Sequence, residues 1–450
     1  MHALRYYNLA SVTKAVNGTL TGNDNVFNGV STDTRNLIPG DLFVALKGPN
    51  FDGHEHLQEA ANKGAVAAVV NELNVKLSLT QIKVEDTQLA LAAMAKSRRA
   101  AFKGQVIGLT GSNGKTTVKE LIAAILKRKG KVLATQGNFN NDIGLPLTLL
   151  RIENDEAFAV IEMGANHFGE IEFLTDITQP DVALITNAGA AHLEGFGDVQ
   201  GVAKAKGEIF SGLNENGIAI INADDKYASY WQQTAKNVRQ IKFGIDAEDA
   251  DVTATNIRVV DGLTECELVT PKDSIKVTLP IGGRHNVSNV LAAVAVAYTQ
   301  GVDIQDMKRA LELFTPVKGR LNFRKSLREA IIIDDTYNAN YDSTLAAVNV
   351  LAEQQCRKIL VLGDMLESGD EAVKLHEDIG KLARQKGINE LLTFGELSQA
   401  ASEAFGHDAQ HFSEKAQLID YAEKQLGENV VILVKGSRGM RMEEIVNRLV

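Results

Sequence analysis

VIGLTGSNGKTT, residues 106–117, is the stretch that decides the fold. Residues 105–109 read as a short buried strand, and 110–114 are rich in turn formers. From Lys115 onward, Val118, Leu121, Ile122, Ile125 and Leu126 recur at the spacing of one apolar helix face. A strand, a glycine loop and a helix N-terminus in that order make a phosphate cradle, because loop N–H groups and the helix dipole point at the anion. Gly111 and Gly114 let the main chain come close without a Cβ clash. Lys115 supplies a point charge for the outer phosphates, and Thr116 offers a hydroxyl to Mg²⁺. The general phosphate-loop pattern asks for glycine where this chain has Leu109. Gly108, Gly111 and Gly114 also depart from the G-x-G-x-x-G dinucleotide spacing.

Working outward, 450 residues suffice for about three domains. With 44% apolar and 23% charged residues, the chain can bury a sizeable core. A net charge of −10 argues against nucleic acid as a partner, which requires a basic footprint. An anionic substrate must then be held by local Lys, Arg and Mg²⁺. Cys266 and Cys356 stand far apart and no C-x-x-C occurs, so neither a zinc site nor a disulfide framework is readable. The N-terminus lacks a signal-like apolar region, and no apolar run approaches about 18 residues. A cytoplasmic protein without membrane insertion is expected.

Three α/β regions are expected, at 1–102, 103–315 and 316–450. In the first, a Pro-Gly-Asp turn at 39–41 precedes a strand at 42–46, and a helix runs from FDGH at 51–54 to Gly64. Ser31, Thr34, Arg35 and Lys47 are its candidates for holding an anionic group, although a solvated loop fits the pattern equally. In the second, apolar runs at 158–161 and 182–186 lead into Glu162 and, a few residues on, His192. Ligands of open α/β sheets sit beyond the carboxyl ends of strands, so both residues are candidates to bind a metal or position water beside the cradle. TQGNFNND at 135–142 is a loop carrying Asn138, Asn140 and Asn141. AKAKGEIF at 203–210 reads as the start of a helix bearing Lys204 and Lys206, and GRHNVSN at 283–289 opens an alanine-rich helix. In the third, strands at 330–333, 358–362, 390–394 and 429–434 alternate with helices, a doubly wound parallel pattern. Polar clusters follow them at 334–340, 363–365 and 435–438, and VKGR at 317–320 reads as the linker.

These motifs resemble the Mur ligase family over essentially the whole chain. The family's ATP loop reads T-G-[ST]-N-G-K-[ST]-[ST], as 110–117 does, which accounts for Leu109. IEMGANHFGEI at 161–171, AHLEGFG at 191–197, DDTYNAN at 334–340 and LVKGSRGMRMEE at 433–444 fit as well, as do STDTR, FVALKG and FDGH near the N-terminus. GDMLESGDEAVKLH at 363–376 is similar to the D-alanyl-D-alanine-adding branch, and the DNPR of the diaminopimelate-adding branch is absent. His56 and Tyr341 depart from the family, which more often has an aromatic and a proline there.

The resemblance implies an N-terminal α/β UDP-binding module, a central P-loop ATPase with a mainly parallel sheet, and a C-terminal Rossmann-like doubly wound domain. It implies a monomeric ligase of cytoplasmic peptidoglycan synthesis, with ATP and Mg²⁺ as cofactors. Its substrates would be UDP-MurNAc-tripeptide and D-Ala-D-Ala. By resemblance, Thr110, Gly111, Ser112, Asn113, Gly114, Lys115, Thr116 and Thr117 cradle ATP, with Asn289 at adenine and Arg320 and Asp335 at ribose or phosphates. Thr116, Glu162 and His192 would serve metal, and Lys206 would be the lysine carbamylated by CO₂ to become a further metal ligand. Ser31, Thr34, Arg35 and Lys47 would face UDP, Asn138 and Asn141 the muramyl-peptide, and Asn338 the incoming dipeptide. Other ligases of the superfamily, including folylpolyglutamate synthases, are the nearest alternative. A GTPase switch would need N-K-x-D after the loop, but the sole Asn-Lys, at 62–63, precedes it. A catalytically dead scaffold fits poorly with Lys115, Glu162, His192 and Lys206 all retained.

Overall fold

The computed structural model describes residues 8–191, 193–260, 263–326 and 328–450. Among them the chain forms three successive α/β layers. The first sheet is five-stranded, with Leu42–Val44 and Ala67–Val70 side by side at its centre. The helix expected from FDGH to Gly64 begins as a 3-10 turn, Gly53–His56, and becomes α-helical only over Leu57–Asn62. His56 closes that turn and lies 3.4 Å from Glu59.

The central sheet has six strands, all parallel, with Gln105–Thr110 flanked by Phe158–Glu162 and Val182–Ile185. These strands are buried along nearly their whole length, which explains why they read as unbroken apolar runs rather than as alternation. Helix Lys115–Leu126 covers one face with the apolar stripe read from the sequence. A three-stranded antiparallel sheet spanning residues 253–279 packs into the same core and was not foreseen.

The C-terminal sheet is also six-stranded, and its four expected strands appear at Ile331–Asp335, Arg357–Gly363, Glu390–Phe394 and Val430–Lys435. Two short edge strands escaped the sequence reading: Asn322–Lys325, which is antiparallel, and Ala409–Phe412. Asp334 and Asp335 close their strand instead of following it. Tyr341 takes the first position of helix Tyr341–Ala352 after the cap residue Asn340. Proline suits that position because its N–H is unused there, and tyrosine fills it without backbone cost.

Packing differs at the two seams. The first and central layers share one apolar core, and helix Thr87–Ala101 lies against helices Gly144–Leu150 and Glu170–Thr178. Arg99 adds an ion pair to Asp181 at 2.9 Å. The C-terminal layer has two cores of its own, one on each face of its sheet.

Candidate active site

The cradle sits at the carboxyl ends of the central strands. Gly111 has φ +153°, and a Cβ there would lie 1.9 Å from Thr186 Oγ1. Gly114 has φ +81°, and its Cβ would fall 2.3 Å from Asn289 Oδ1. Both positions therefore need glycine for conformation and for room. Asn289 is thereby set against the loop, and its Nδ2 donates to Asn286 Oδ1 at 3.1 Å. No side chain caps helix Lys115–Leu126, so its first-turn amides suit an anion. Lys115 Nζ donates to Gly111 O at 2.7 Å and to Ser112 O at 3.3 Å. Thr116 and Thr117 are buried beneath it, and Thr110 Oγ1 donates to Met163 O at 2.8 Å. Burial pushes the Lys115 ammonium below its ordinary range; nearby Glu162 opposes this and Arg320 adds to it.

Glu162 ends its strand beside the cradle and is buried. Asn140 Nδ2 donates to its Oε1 at 2.9 Å, and its own N–H donates to Thr135 Oγ1 at 3.0 Å. Thr135 O in turn accepts from Lys119 Nζ at 2.6 Å, a lysine 1% exposed. Glu162 Oε2 is buried without a hydrogen-bond partner. An unsatisfied buried carboxylate oxygen costs about 1–3 kcal/mol or more, a penalty that a bound cation would remove. The site thus fits a divalent metal. Among the described residues no cluster of three or more His, Cys, Asp or Glu side chains forms a metal cage.

AKAKGEIF ends a helix rather than starting one. Helix Val199–Gly207 begins one turn earlier, because Asp198 caps it by accepting from Gly201 N, and it passes into the 3-10 turn Glu208–Gly212. This phase separates the two lysines: Lys204 is exposed, whereas Lys206 is 1% exposed with its Nζ 5.5 Å from the Phe196 ring centroid. Burial, reinforced by Lys115, pushes the Lys206 amine down to about 7, against the pull of Glu170 and Glu208. His192 lies outside the described residues.

From the C-terminal layer, the Arg320 guanidinium stacks 4.0 Å above the Tyr337 ring, and its buried Nε has no partner. Asp335 Oδ2 pairs with Lys435 Nζ at 2.6 Å, while its Oδ1 accepts from Leu321 N at 3.1 Å. Asn338 Oδ1 accepts from Ala339 N and, at 3.3 Å, from Arg438 N. Both carboxylate oxygens of Asp335 and the amide oxygen of Asn338 are thus engaged inside their own layer. Burial pushes the His285 imidazole down to about 4, with Asp335 opposing and Lys435 adding to the shift.

The remaining sequence candidates form local groups. Arg35 is paired with Asp33 at 2.7 Å and Lys47 with Asp52 at 3.2 Å, both near solvent, where such pairs are weak and easily exchanged for a ligand. Ser31 Oγ donates to Asp33 O at 2.9 Å, and the buried Thr34 accepts Lys63 Nζ on its carbonyl at 2.9 Å. Asn138 is exposed, and Asn141 Oδ1 accepts from Gly144 N at 2.9 Å. Asn140, the third asparagine of that loop, is the one that reaches Glu162, and it was not among the site residues read from the sequence. Lys119 was missed too. Its signal was available: it lies one turn beyond Lys115 and three residues before Ile122, at the margin of the apolar face.

Three family descriptions match the chain: Mur ligase family, catalytic domain, over 26–99; Mur ligase middle domain, over 109–297; and Mur ligase, glutamate ligase domain, over 319–438. The UDP-N-acetylmuramoyl-tripeptide–D-alanyl-D-alanine ligase of Escherichia coli K12 is 46% identical over 443 residues, covering 98% of each chain. A crystal structure of MurF from Acinetobacter baumannii superposes with a TM-score of 0.93 at 36% identity, covering 98% of both chains. The MurF ligase of Thermotoga maritima in complex with ADP superposes with a TM-score of 0.85 at 30% identity, covering 94% of this chain and 96% of that one.

The relay behind Glu162 gives a direct prediction. Lys119→Met keeps the bulk of the side chain but strips Thr135 O of its donor. It should lower unfolding stability by about 1–3 kcal/mol in a urea titration. A variant as stable as the wild type would show that this buried hydrogen bond contributes nothing.

Proposed function

This chain belongs to the Mur ligase family, and on that premise we propose that it is the ATP-dependent ligase joining D-alanyl-D-alanine to UDP-N-acetylmuramoyl-tripeptide in peptidoglycan synthesis. The observation that carries this reading is the 46% identity, end to end, with a relative of that name. The relative solved with ADP supports ATP as the energy source. Nucleotide-linked substrates argue for work in the cytoplasm.

Joining a carboxylate to an amine in water requires activation, and the first step brings two anions together. The terminal carboxylate of the tripeptide attacks the γ-phosphorus of ATP, giving an acyl phosphate and ADP. The neutral amine of the dipeptide then adds to the acyl carbon, and phosphate leaves the tetrahedral intermediate. Lys115 and the amides of 111–117 hold the β- and γ-phosphates, with the nearby Arg320 adding positive charge. Asn289 lies against Gly114, which suits contact with the nucleotide base. Glu162 and Thr116 would hold Mg²⁺, with His192 joining them by family resemblance. When bound, Mg²⁺ neutralises phosphate charge and polarises the transferred group. Lys206 is our choice over Lys204 for carbamylation, because Lys206 is buried and burial lowers its amine enough for the neutral form to capture CO₂, whereas Lys204 is exposed.

Three measurements test this. Phosphate release with ATP, Mg²⁺ and UDP-MurNAc-tripeptide should depend on D-Ala-D-Ala; release that ignores the dipeptide, or answers to a single amino acid, would overturn the assignment. Lys115→Ala should lower kcat by at least about a hundredfold, the scale of losing one transition-state donor; wild-type turnover would refute its role. With ¹³CO₂, an NMR carbamate signal should require Lys206 and fade as pH falls below about 7, where its amine takes a proton. A signal that survives Lys206→Ala, or that vanishes in Lys204→Ala, would assign the modification elsewhere.

A further inference from the structure

The seam between the central and C-terminal layers carries polar contacts made by the start of helix Tyr341–Ala352. Asn340, its cap residue, donates from Nδ2 to Asn113 Oδ1 of the phosphate loop at 2.9 Å. Asp342, one position further into the helix than Tyr341, accepts the N–H of Ala190 on Oδ2 at 2.7 Å. Both contacts join residues far apart in sequence.

The loop 187–190 is the point on which these contacts converge. Ser112 N donates to Asn187 O, and Asn113 N to Asn187 Oδ1, both at 3.0 Å. Ala188 N–H goes to Asp225 Oδ2 at 2.8 Å, Gly189 N–H to Ser112 Oγ at 2.9 Å, and Ala190 N–H to Asp342 Oδ2. Three consecutive amides are thus held by three different elements. The first two acceptors belong to the central layer and persist however the layers are arranged. The third is supplied by the C-terminal layer, so separating the layers strips Ala190 of its acceptor. Fit at this point is close: a Cβ on Gly189 would lie 2.2 Å from Asp342 Oδ2, whereas its next side-chain neighbour of another residue, Asn113 Nδ2, is 3.5 Å away.

We propose that Asp342 is a positioning residue for the ligation: docked with its layer, its carboxylate fixes the 187–190 loop and, through Ser112 and Asn113, the phosphate cradle in its reactive form. The inference rests on the ligase reading above. It gives ATP turnover a dependence on the seam that binding of ATP to the central layer alone does not have.

The test is a double-mutant comparison. Asp342→Ala should lower kcat about tenfold or more while leaving the Kd of ATP for the otherwise unliganded enzyme within about twofold, since misplacement costs rate before it costs binding. Gly189→Ala should be impaired because its methyl group meets the Asp342 carboxylate. In Asp342→Ala/Gly189→Ala the added methyl should have little further effect, leaving the double variant within about twofold of Asp342→Ala. Wild-type kcat in Asp342→Ala, or defects that multiply in the double variant, would overturn the proposal. Hydrogen exchange at the Ala190 amide separates this from the ligase reading. Its protection should fall in Asp342→Ala whether or not turnover occurs, and unchanged protection overturns the proposal. Dipeptide-independent phosphate release by the wild type would instead overturn the ligase reading.

Discussion

Positive charge held out of water beside the central sheet edge is the constraint on which the site depends. Burial depresses the Lys115, Lys206 and Lys435 ammonium groups, and Arg320 adds to the strain on Lys115 and Lys435. Lys435 has Asp335 as a buried counter-ion, whereas Lys115 leans on the carbonyls of its own loop. A half-buried cation resting on carbonyls is an incomplete arrangement, and it becomes complete when an anion arrives. A ligase that must bring a carboxylate against a triphosphate needs such a place, because the two anions would otherwise repel each other. The same crowding that depresses Lys206 would favour its conversion into an anion by CO₂.

The fold supplies this arrangement through unequal seams. A continuous apolar core joins the first and central layers, and such a seam resists hinge motion. The C-terminal layer has its own cores and meets the central layer through Asn340, which donates to Asn113 of the phosphate loop, and Asp342, which accepts the Ala190 N–H. Hydrogen bonds exchanged with water cost little to open, so this seam resists separation less than the apolar one. Glycines at 111 and 114 permit the close approach of Thr186 and Asn289 to the loop. The lack of a Cβ there is as necessary to the cradle as the lysine.

Much of this was legible in the sequence, for physical reasons. Strand, glycine loop and helix are local features, and the cradle at 110–117 reads directly from period and turn chemistry. The position of Glu162 beside the cradle could be read because parallel strands deliver their last residues to one edge. Lys206 could be ranked over Lys204 only by motif, since one residue of helix phase decides which is buried and Asp198 sets that phase from outside AKAKGEIF. Asn140 was passed over beside Asn138 and Asn141 because three similar amides in one loop differ only in direction. The short edge strands Asn322–Lys325 and Ala409–Phe412 carry too few residues for a period to show. Asp342 was invisible in principle, because its partner Ala190 is a backbone amide in another layer.

The central claim is that this charged, water-poor site makes a carboxylate accept a phosphoryl group. It is tested most directly by labelling the reacting carboxylate of the tripeptide with ¹⁸O and weighing the phosphate released during ligation. The account predicts that each turnover moves one ¹⁸O from the carboxylate into inorganic phosphate. Phosphate formed at the ligation rate but free of label would contradict it.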